Sequence, residues 1–113
     1  MSQDASMRQV KVMPDYHCWP LWHAGGGIGN IDPASLPLSP ALRADLLTWA
    51  DAFDATLDPA DPASSGFASA EALGRFDHWG RSLAERVAKE LSGTHRVLYF
   101  SVVGRVVEPV PSA

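Results

Sequence analysis

Residues 14–40 hold Pro14, Pro20, Pro33, Pro37 and Pro40 together with Gly25, Gly26, Gly27 and Gly29, and no regular helix can run through such a stretch. Proline removes a backbone donor and glycine gives up the most entropy on ordering. Long helices are therefore confined to the chain from Pro40 onward. The stretch reads as a long ordered connection with one short strand at Pro20–His23, and connections of this length in a compact domain are often functional. Ahead of it, residues 8–13 alternate, with Val10 and Val12 on one face, as a half-buried strand does. Residues 1–6 are small and polar and read as a flexible end.

Ser39-Pro40 is a helix start, with serine at the cap and proline at the first helical position. The first helix is expected over about 40–57. At 100° per residue, Leu42, Leu46, Trp49, Ala50, Phe53 and Leu57 form its core face. Leu47, Asp51, Asp54 and Asp58 lie on the other side. Residues 58–67 are turn chemistry, which puts Asp58 at or just past the helix end.

Ser69 caps a second helix expected over about 70–91. Its core stripe is Leu73, Phe76, Gly80, Leu83, Ala84, Val87 and Leu91, and its wet face runs through Glu71, Arg75, His78, Arg81, Glu85 and Lys89. Gly80 sits mid-stripe at a cost of about 1 kcal/mol against alanine, so another element should approach closely there. Ser92-Gly93 ends the helix. Residues 96–103 are apolar on both faces, as an inner strand is. Val106-Val107 is a further strand ended by Pro109 and Pro111, with 109–113 as a tail. The 113 residues make one domain, and 46% of them are hydrophobic. The fold class is α+β, a small β-sheet covered on one face by two amphipathic helices.

Charge bears on partners rather than fold. The chain's net −4 comes from residues 31–62, where Asp32, Asp45, Asp51, Asp54, Asp58 and Asp61 face one base, Arg43. The pI of about 5.4 argues against nucleic-acid binding, which needs clustered lysine and arginine. No apolar run is long enough for a membrane helix, and the N-terminus lacks the basic and apolar regions of a secretory signal. Cys18 is the only cysteine, and cytoplasmic residence is the simplest reading.

Asp15, His17, Cys18 and His23 are the densest side-chain chemistry. His17, Cys18 and His23 are zinc-type ligands, but structural zinc takes four and no second ligand pair is present. A nucleophilic Cys18 would need an imidazole to make it a thiolate, whereas a lone cysteine is ordinarily a small buried hydrophobe. Gly25–Asn30 lacks the helix start and the lysine that phosphate loops need. No metal, cofactor or catalytic residue is assigned. Exposed aspartates usually form a solvated face. Here no base interrupts Asp51, Asp54 and Asp58, and Leu47 lies in their stripe, which suits docking to a basic protein. Trp49 and Trp79 belong at the rims of the helix core faces. Tyr16, Trp19 and Trp22 in the loop are candidate hot-spot residues if exposed.

Three strings carry a resemblance: Asp15-Tyr16-x-Cys18-Trp19-Pro20-Leu21-Trp22, then Gly29-Asn30-Ile31-Asp32-Pro33-x-x-Leu36-Pro37-Leu38-Ser39, then Trp49-x-x-x-Phe53-Asp54-x-Thr56-Leu57 closing with Asp61-Pro62-Ala63-Ser64-Ser65-Gly66-Phe67. Over about residues 10–100 they resemble a family of small acidic bacterial proteins, some of which resemble immunity partners of polymorphic or contact-dependent toxins. The Gly25–Gly27 run departs from the acidic loop of that family. The resemblance implies no catalytic residues.

The leading expectation is thus a non-enzymatic immunity-type inhibitor that binds a basic toxin, such as a nuclease, through Leu47, Asp51, Asp54, Asp58, Tyr16, Trp19 and Trp22. The alternative is a small enzyme or metal-binding protein using Asp15, His17, Cys18 and His23. A homodimer assembled through the loop aromatics is the third.

Overall fold

Alternation at the N-terminus becomes strand β1, Arg8–Val12, in a computed structural model that describes residues 8–25, 29–57, 60 and 66–111. The proline- and glycine-rich stretch carries β2, Leu21–Ala24, and the two-residue β3, Asn30–Ile31. Helices α1, Pro40–Asp54, and α2, Ala70–Glu90, follow, and then β4, His95–Ser101, and β5, Val106–Val110. The strands form one sheet in the order β3-β2-β1-β4-β5. Only β1 and β4 are parallel, with Val10 opposite Val97 and Val12 opposite Tyr99. A parallel pair needs a long crossover, and α1 and α2 supply it.

Alternation decides which face is covered. Val10, Val12, Leu21, Ile31, Val97 and Tyr99 point one way into a single core with Leu42, Leu46 and Trp49 of α1 and Leu83 and Val87 of α2. Lys11, Trp22, Leu98 and Phe100 alternate onto the opposite face and stay half-buried. The sheet is therefore covered on one face by two helices, as the sequence predicts. Strand β4 lies between β1 and β5, so an inner strand apolar on both faces is found where expected.

Both helix starts form as read. The Ser39 hydroxyl accepts from the Leu42 N–H at 3.2 Å, and the Ser69 hydroxyl accepts from the Ala72 N–H at 3.0 Å. Four details differ. Helix α1 stops at Asp54 rather than Leu57, where the chain tightens and the N–H groups of Thr56 and Leu57 donate to the Phe53 and Asp54 carbonyls three residues back, each at 3.0 Å. Trp49 is fully buried rather than at a rim, stacked on Phe76 at 4.8 Å with its indole N–H donating to the Phe76 carbonyl. Strand β5 runs through Pro109 to Val110, so residues 109 and 110 belong to the sheet and not to a tail; an edge strand tolerates proline. Asp77, unremarked in the sequence, is buried on the core side of α2.

Gly80 answers to close approach. A Cβ there would lie 2.7 Å from the Tyr99 hydroxyl and 2.8 Å from Trp49 Cε2. The Tyr99 hydroxyl donates to Asp77 Oδ1 at 2.8 Å, the Ser101 hydroxyl donates to Asp77 Oδ2 at 3.0 Å, and the Val102 N–H donates to Asp77 Oδ1 at 2.9 Å. This buried carboxylate thereby ties α2 to the end of β4. Burial and the bond to Asp77 push the Tyr99 hydroxyl well above its usual range, so it stays protonated. Among the described residues no helix is long and apolar enough to cross a membrane.

Candidate partner-binding surface

The β1–β2 connection is held shut by its own backbone and by one side chain. The Met13 N–H donates to the Pro20 carbonyl at 3.0 Å. Asn30, on β3, accepts from the Trp19 N–H at 2.8 Å and donates to the carbonyls of Trp19 and Leu21 at 2.7 and 2.8 Å. Each such bond contributes about 1 kcal/mol, and together they fix the loop's path. The loop is then tied to the end of α1. Tyr16 stacks on Phe53 at 4.6 Å, and its hydroxyl lies 3.1 Å from that of Thr56. His17, in the left-handed region at φ 60°, donates its backbone N–H to Asp54 Oδ1 at 2.9 Å.

The result is a shallow depression of about 480 Å³ between loop and helix, whose lining includes Trp19 and Cys18 from the loop and Leu47, Asp51 and Asp54 from α1. Leu47 is 42% exposed and Trp19 44%, so two apolar side chains stand free to be covered. Among the described residues, Asp15, Asp51 and Asp54 make no ion pair, whereas Asp45, on the same helix, is held by Arg86 at 2.7 Å. The negative field is felt locally: burial first, then Asp15 and Asp54, raise the Cys18 thiol above its ordinary range. Its Sγ donates to the Tyr16 carbonyl at 3.3 Å. A cysteine nucleophile needs the opposite shift.

The candidate residues separate accordingly. Trp19, Leu47, Asp51 and Asp54 share one surface, with Asp54 also bracing the loop. Tyr16 packs behind that surface. Trp22 follows Leu21 in β2 and so points to the far face of the sheet, its indole N–H donating to the Met13 carbonyl at 3.0 Å. Asp58 lies outside the described residues, as do Gly26 and Gly27. Of the alternative cluster, Asp15, His17 and Cys18 share one turn, while His23 sits in β2 opposite Val10. The described residues contain no group of three His, Cys, Asp or Glu side chains placed to hold a metal ion. Sequence reasoning missed Asn30 as an organising residue; the turn-type pair Gly29-Asn30 was the available signal.

The loop and α1 of this small α+β domain thus place two exposed apolar side chains beside carboxylates that make no ion pair among the described residues. The chain belongs to the Serratia CdiI immunity protein-like family, whose model matches residues 8–102, from the first residue of β1 to just past β4. No curated protein matches it. The immunity character implied by the three sequence strings agrees with this family.

Proposed function

We propose that this chain is a cytoplasmic immunity protein that neutralises a basic toxin by binding it, without catalysis, through the depression between the β1–β2 loop and α1. Membership of an immunity-protein-like family supports the class. The observation that carries the site is the convergence of Leu47 and Asp51 with Trp19 on one face whose carboxylates have no cation of their own among the described residues. A toxin acting on a polyanion, such as a nuclease, presents a basic cleft. Asp51, Asp54 and Asp15 would meet it as phosphates do and steer the encounter. Leu47 and Trp19 would supply the desolvated anchor that sets residence time.

The test is association kinetics with the cognate toxin. Asp51→Lys lowers the association rate at low salt about tenfold and flattens its salt dependence. Leu47→Ala raises the dissociation rate about tenfold with little change in association. Asp54 is left intact because it holds His17. An Asp51→Lys variant that associates as fast as the natural chain, with the same salt slope, overturns the acidic-steering reading.

A further inference from the structure

A second concave feature lies on the other side of the Tyr16–His17 turn. It is a cavity of about 430 Å³ at the C-terminal end of α1, lined by Tyr16, Phe53, Phe67, Leu73, Phe100 and Val102, all half-buried. This volume falls within the range of sites that take a ligand or an anchoring side chain. One charged side chain, Arg105, lines it, and Arg105 makes no ion pair among the described residues. The backbone of Arg105 is held in place, and its side chain is exposed. Arg105 has φ 57°, its N–H donates to the Ser101 carbonyl at 2.7 Å, and the Ser101 hydroxyl and Val102 N–H are both fastened to buried Asp77. The acidic depression and this cavity meet at consecutive residues of α1, with Asp54 lining the first and Phe53 the second.

We infer that this cavity is a second anchor site for the same protein partner, taking one aromatic or long aliphatic side chain of the toxin with a carboxylate beside it at Arg105. The inference rests on the immunity reading above and adds the chemistry of the segment recognised. The charges on the two sides of the turn are opposite, so a matching toxin surface has a basic patch and, next to it, an apolar residue flanked by an acid. Such paired charges specify register, and the apolar pocket supplies the hot spot.

The experiment is affinity for the cognate toxin, measured for Arg105→Glu, Arg105→Lys and Ala70→Trp, with Asp51→Lys in parallel. Ala70 is exposed and lines the cavity, so tryptophan there crowds it without opening the core. A thermal melt of each variant confirms folding. The inference predicts that Arg105→Glu and Ala70→Trp each weaken binding about tenfold or more, while Arg105→Lys largely retains it. If one of the two fails to fold, the other decides. If both fold and bind as the natural chain does while Asp51→Lys is weakened, the cavity is not an anchor and the immunity reading stands. If the natural chain does not bind the toxin, the immunity reading fails and takes the anchor site with it.

Discussion

Gly80 is where the core tolerates least. Trp49 and Tyr99 are fully buried, and both close on the glycine from different elements. Alanine would gain about 1 kcal/mol in helix propensity. It would also place a methyl group where neither ring can retreat, because Trp49 is stacked on Phe76 and Tyr99 is bonded to Asp77. Overpacking of this kind costs about 1–3 kcal/mol. Gly80→Ala is therefore expected to lower the denaturant midpoint, and a midpoint equal to or above that of the natural chain would contradict the packing described. The close approach at Gly80 was legible because a glycine in mid-stripe is a local anomaly. The role of Asp77 was not. It occupies the same stripe and pairs with Arg81 one turn on, but its three other partners come from β4 and the turn after it, and nothing near it in sequence reports those.

At the scale of elements, periodicity and capping placed both helices to within a few residues, since those signals are local. Strand pairing is not local. The β2–β3 pairing and the parallel β1–β4 pair depend on contacts that the proline- and glycine-rich stretch hides, above all the clamp from Asn30. Strand β5 shows how one residue can be read too strictly. Proline ends a central strand, but on an edge it only deletes a donor, and Pro109 sits opposite Leu98 within the sheet. That deletion has a use, because an edge bearing exposed Val106 and Val107 invites another strand. Pro109→Thr is expected to shift the chain toward larger species by light scattering. An unchanged size distribution would show that something other than proline protects this edge.

Over the whole molecule, the concentration of negative charge in residues 31–62 resolves into unlike parts. Asp32 caps the 3-10 turn over Pro33–Ser35 by accepting from the Ala34 N–H at 2.9 Å, and Asp45 is paired with Arg86. Asp58 and Asp61 lie outside the described residues; of the others Asp51 and Asp54 remain, joined by Asp15 from the loop. The stripe and the loop aromatics could each be read from the sequence. That Trp19 faces the stripe while Trp22 faces away could not, because Asn30 fixes the path of the loop at Trp19 while Trp22 takes its side from β2, in a sheet whose order was unknown. This division offers the most direct test, which is hydroxyl-radical footprinting of the chain with and without its cognate toxin. The account predicts that Trp19 and Leu47 lose reactivity in the complex while Trp22 keeps it. Protection of Trp22 with Trp19 and Leu47 unchanged would place the partner on the open face of the sheet and contradict the account.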